Sequence, residues 1–180
     1  MLSNTPKEND MNYLHTATQD FTAGNFNAEP LSKSVEELDF SRLRHKYTDS
    51  NEAEMSETQW DKAELEYRRF LHLKQLYPGV SLVPSKQVDQ IWHAHILDTK
   101  AYREDCQAVF GQFIDHFPYF GIYGKEDYAD LISTFDQTIE LYEKHFGIYP
   151  SKSPLNAARC EDHACHSPTE CACRVEGACK

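Results

Sequence analysis

Val88-Asp89-Gln90-Ile91-Trp92-His93-Ala94-His95-Ile96-Leu97-Asp98-Thr99-Lys100-Ala101-Tyr102-Arg103-Glu104-Asp105-Cys106 is the stretch on which both fold and chemistry turn. Ser85 can cap a helix before it and Gly111 can stop one after it, so the spacing predicts one helix from about Ser85 to about Phe110. At about 100° of rotation per residue, Asp89 and His93 share a face. Asp89 could then accept the His93 ring N–H and fix the tautomer whose other nitrogen is free for a metal. His95 points roughly 160° away from His93, toward the side of Trp92, Thr99, Tyr102 and Cys106. An undistorted helix therefore cannot offer both histidines to one ion. A mononuclear site would need a local bulge, or would pair one of these histidines with His116 from the loop that follows. The competing reading makes Trp92, His95, Tyr102 and Cys106 a buried polar seam, hydrogen bonded to that loop.

Around this stretch the pattern is helical throughout. Ser34 and Glu37 have the form of a capping box, and Val35, Leu38, Leu43 and Tyr47 give an imperfect apolar stripe after it. Ser56 and Gln59 form a sharper capping box, with Met55 placed to staple onto Trp60. Trp60, Ala63, Tyr67, Phe70, Leu71 and Tyr77 recur every three or four residues until Pro78-Gly79. A last helix from about Lys125 to Phe146 carries Tyr128, Leu131, Ile132, Phe135, Ile139, Tyr142 and Phe146 on its stripe. Between Gly111 and Gly124 lies an aromatic-rich loop, too apolar to be freely solvated. The expected fold class is all-α, a compact bundle of about four helices. The expected organisation is a flexible N-terminal segment over 1–30, a helical domain over 31–149, a linker over 150–159 and a Cys/His-rich tail over 160–180.

The stretch also carries a resemblance. Asp89-x-x-Trp92-His93-x-His95, followed by Thr99, Tyr102, the Asp105-Cys106 pair and His116-x-Pro118, resembles the glycine-rich-domain-containing-protein-like family over roughly residues 31–149. The resemblance implies a helical fold and carries over no reaction. The chain departs from the long plant-type members, having seven glycines and no glycine-rich region. It ends instead in a cysteine cluster.

That cluster is Cys160, Cys165, Cys171, Cys173 and Cys179 with His163 and His166 interleaved. Seven soft or borderline donors sit in a segment too poor in apolar residues to build a core. Thiolate and imidazole suit Zn(II), and a thiolate-dominated set also suits Cu(I). No Cys-x-x-Cys knuckle occurs, and four ligands complete a tetrahedral ion with donors to spare. A disulfide-forming or redox-responsive tail and a tail recognised by a partner protein are the alternatives.

Composition narrows the rest. A net charge of −11 opposes general binding to phosphate backbones, so nucleic acid is not an expected partner. No run approaches the roughly 20 apolar residues that span a bilayer, and the opening residues lack a signal-peptide pattern, so the expected location is cytoplasmic. Two function classes stand open. One is a metal-binding protein with its ion in the tail. The other is a metal-dependent enzyme built on Asp89, His93, His95 and His116, with a protein-interaction module as a third option.

Overall fold

The computed structural model describes residues 28–158. Their regular structure is helical: α1 (Lys33–Glu36), α2 (Ser41–Thr48), α3 (Glu57–Leu76), α4 (Lys86–Leu97), α5 (Thr99–Phe110) and α6 (Lys125–Phe146), then a 3-10 turn at Pro154–Asn156. No strand forms among the described residues, only an isolated bridge between Ser85 and Ala157. No helix there is long and apolar enough to cross a membrane.

The long helix α3 is the centre of the body, packing against α1, α2, α4 and α6. It starts where the capping box places it, with the Ser56 side chain accepting from the Gln59 backbone N–H and the Gln59 side chain accepting from that of Ser56. Its stripe is buried from Trp60 to Leu71, with Trp60, Tyr67 and the neighbouring Leu73 having no exposed surface, and only Tyr77 at its end is partly buried. Burying aromatic side chains of this size contributes roughly 1.5–3 kcal/mol each before entropy is counted. Arg68 ties the N-terminal region to this helix by donating to the Val35 carbonyl at 2.7 Å and the Leu38 carbonyl at 2.8 Å. Helix-end carbonyls that lack an intrahelical partner are satisfied in this way.

Among the described residues six α-helices stand where about four are expected, because two expected helices are each divided. The first is broken between α1 and α2, where the Asp39 carboxylate accepts from the Ser41 N–H at 2.9 Å. A short acidic side chain competes there with the helical ladder. The second and more consequential break is at Asp98, whose φ and ψ of −80° and 67° leave the helical region. Its side chain accepts from the Ala101 N–H and so caps the start of α5.

That break sets the site. Ten residues of continuous helix rise about 15 Å, yet Trp92 Nε1 donates to the Tyr102 hydroxyl at 3.0 Å and His95 Nε2 lies 3.0 Å from Asp105. Both contacts require α5 to fold back on α4.

The end of the described part of the expected linker lies against the body. Ala157 is buried, and the Ala158 N–H donates to the Pro84 carbonyl at 2.9 Å. The segment before α4 is tethered in turn by the Val83 N–H, which donates to the Thr138 hydroxyl of α6 at 3.0 Å.

Candidate functional site

Helix α4 carries polar side chains on two opposite faces. On one face His95 is buried with both ring nitrogens engaged, Nδ1 at 2.9 Å from the Tyr67 hydroxyl and Nε2 at 3.0 Å from the Asp105 carboxylate. A carboxylate only accepts, so Nε2 carries the proton and Nδ1 accepts from the tyrosine. Phe40 and Tyr102 pack their rings edge-on against the imidazole at 5.0 Å. Burial pushes the His95 pKa down, against the pull of Asp105. Burial also holds the Tyr67 hydroxyl well above its ordinary value. His95 is thus a neutral, satisfied core histidine, and it does not join the other residues expected at a body site.

The same side of the helix holds the aromatic loop in place. The Tyr102 hydroxyl, accepting from Trp92, donates to the Ile114 carbonyl at 2.6 Å. Cys106 is buried beside it, and burial pushes its thiol up, outweighing the opposing influence of the neighbouring Ile114 backbone and Tyr102 hydroxyl. A thiol held protonated is a poor nucleophile. The polar seam read from the sequence is therefore present, with Tyr67 and Asp105 as members that the sequence reading omits.

The seam delivers His116 to the other face of α4. The His116 ring packs edge-on against Trp92 at 4.6 Å, and its Nε2 lies 2.9 Å from Asp89 Oδ1 and 3.0 Å from His93 Nε2. His93 Nε2 lies 3.8 Å from Asp89 Oδ2. Asp89 is buried, whereas the His93 side chain keeps 32% of its surface. Asp89, His93 and His116 form a group whose donor atoms all lie within 4.8 Å of one another, close enough to share a metal ion. The expected Asp89–His93 hydrogen bond gives way to one between Asp89 and His116, because the loop brings that ring closer to the carboxylate.

The group borders a cleft of about 360 Å³, with Asp89 and His116 in its wall. Trp92, Phe117 and Phe120 line it together with Lys74, whose ammonium stands 5.5 Å from the centroid of the Trp92 ring. Desolvation lowers the Lys74 pKa. Lys74 and the cleft are further features that periodicity does not reveal, since Lys74 reaches the cleft only through the packing of α3 on α4. The seven tail residues, Cys160, His163, Cys165, His166, Cys171, Cys173 and Cys179, lie outside the described residues.

The described residues form an all-helical body with a histidine–carboxylate group at the edge of a cleft. Within it, residues 31–133 match the UCP032817-like family model, and the chain belongs to that family. The match includes Asp89, His93 and His116 and stops before the tail. No curated protein and no solved structure matches the chain.

Proposed function

We propose that this is a metal-binding protein whose helical body holds one divalent ion between Asp89, His93 and His116. The observation that supports the reading is the convergence of three donors on one point. A tetrahedral ion with bonds of about 2.0–2.1 Å sets its ligands about 3.3 Å apart, and the three donor separations of 2.9, 3.0 and 3.8 Å bracket that value. Hydrogen bonding alone serves the group less well. His116 Nε2 carries one proton or one lone pair, so it cannot make full, linear bonds with both the carboxylate and His93. An ion between them engages all three.

Two imidazoles and a carboxylate suit Zn(II), and with open positions they also suit Fe(II). Three protein ligands leave a coordination position beside the cleft, the pattern of sites that bind or activate a further ligand. The tail is proposed as a separate thiophilic site for Zn(II) or Cu(I), on the density of its cysteines. A cytoplasmic location, with its reducing conditions, belongs to the same proposal. The resemblance to glycine-rich-domain-containing-protein-like sequences adds no reaction to it.

Zinc X-ray absorption tests the body site in a full-length, tail-silenced chain with the five tail cysteines changed to Ser and His163 and His166 to Gln. The expected spectrum shows nitrogen and oxygen neighbours at about 2.0 Å with imidazole scattering. A shell of water oxygens without imidazole would remove the proposal.

A further inference from the structure

We infer that the cleft beside the metal site takes a small oxo or hydroxy carboxylic acid, with its carboxylate on Lys74 and its second oxygen on the ion. The inference rests on the proposed body site and adds the chemical class of its ligand. Among the described residues no hydrogen bond or ion pair reaches the Lys74 ammonium, which stands over the rings of Phe70 at 5.6 Å and Trp92 at 5.5 Å. Asp115 borders the same cleft, yet it is exposed and makes no ion pair with Lys74. Two aromatic faces favour the charged amine, but it has given up much of its water, and that desolvation lowers its pKa. An anion entering the cleft offsets the loss.

Reach, charge and shape narrow the class. Lys74 and His116 both pack on Trp92, the ammonium 5.5 Å and the imidazole centroid 4.6 Å from the centre of its ring. Both also line the same cleft, so one small molecule can touch the amine and an ion held by His116. A divalent ion and Lys74 outweigh Asp89 and Asp115 in the cleft wall, and a monoanion offsets the excess. Lys74 is the sole Lys or Arg among the described residues lining the cleft. A phosphate would call on several such donors, whereas a carboxylate is served by one cation and leaves its second oxygen donor for the ion. At about 360 Å³ the cleft lies at the small end of ligand sites. Beside it Phe117 leaves 67% of its surface exposed, apolar area that the body of the acid removes from water.

The test loads the tail-silenced full-length chain with Co(II) under anaerobic conditions and follows its visible absorption during titration with three acids. Phenylpyruvate, 3-hydroxy-3-phenylpropionate and 4-hydroxyphenylacetate place the second oxygen progressively farther from the carboxylate. At least one should change the cobalt spectrum to saturation, because an oxygen entering the open position alters the geometry around the ion. Lys74→Gln should still take up one Co(II) but bind that acid more than roughly tenfold less tightly, the loss expected for one charged hydrogen bond. The neutral amide of the same acid should bind the unsubstituted chain more weakly than the acid does, and should bind Lys74→Gln equally well. Equal affinity of the acid for both chains, or of acid and amide for the unsubstituted chain, overturns the inference and leaves the body site standing. A cobalt-loaded chain whose spectrum none of the three acids changes does the same. Failure of the tail-silenced chain to take up Co(II) overturns the body site, and the inference with it.

Discussion

His93 and His95 sit two residues apart on one helix and face two different environments. Around His95, burial, the Tyr67 hydroxyl and the Asp105 carboxylate leave the ring neutral and without spare valence. Around His93, a second imidazole and a carboxylate converge at the edge of a cleft. Residue type alone does not distinguish a ligand from a core histidine. The number of partners competing for each nitrogen does. One side of α4 is finished by hydrogen bonds within the protein, and the other brings two imidazoles and a carboxylate together at the edge of the cleft.

The largest expected effect tests the shared wall between the two sides. Trp92→Ala removes a buried aromatic that donates to Tyr102 and packs on His116, and should destabilise the protein by about 3–5 kcal/mol in urea unfolding. Equal stability would mean that Trp92 is not core, and the contrast between the faces would lose its partition. A smaller effect sharpens the closed side. Tyr67→Phe strips His95 Nδ1 of its partner while keeping the ring, for an expected loss of about 1–3 kcal/mol. A loss within error of zero in the same measurement would show that the Nδ1 bond carries little.

Much of this was legible in the sequence, for local reasons. The Ser56–Gln59 box and the α3 stripe are short-range patterns, and both are realised. The opposed directions of His93 and His95 follow from helical rotation alone. The break at Asp98 was not legible, because it uses neither Gly nor Pro, only an aspartate that caps the next helix from inside an apolar period. Everything that depends on the break was hidden with it. Asp105 stands ten residues after His95, yet its role as the partner of His95 needs a chain reversal that a continuous helix forbids. The loop position of His116 makes it a partner that the sequence offers, but its placement 2.9 Å from Asp89 is set by the Trp92–Tyr102–Ile114 seam.

His72 provides a milder, pH-dependent check on the closed core. Burial lowers its pKa below the ordinary 6.5, with Glu29 opposing the shift and His145 adding to it. The unfolded chain then protonates His72 first on acidification, so stability should be greatest above 6.5 and fall as pH drops below that value. Urea midpoints measured between about pH 8 and pH 5 should decline less in His72→Gln than in the unsubstituted chain. Matching declines would contradict a neutral, buried His72.

The smallest stability effect belongs to the open side. His93→Ala should shift the unfolding free energy by no more than about 0.5 kcal/mol in metal-free protein, because the side chain is partly exposed and is not part of the core. A loss as large as that of Tyr67→Phe would make His93 a structural residue like His95 and erase the contrast.

The central claim is that Asp89, His93 and His116 share an ion, and competition titration of Zn(II) against a chromophoric chelator tests it most directly. The tail-silenced full-length chain should bind one Zn(II). His116→Ala in that background should weaken binding by more than roughly 100-fold, beyond the usual loss of an outer-shell partner, and His95→Gln should leave the affinity unchanged. No zinc uptake by the tail-silenced chain, or equal affinity after His116→Ala, would contradict the account.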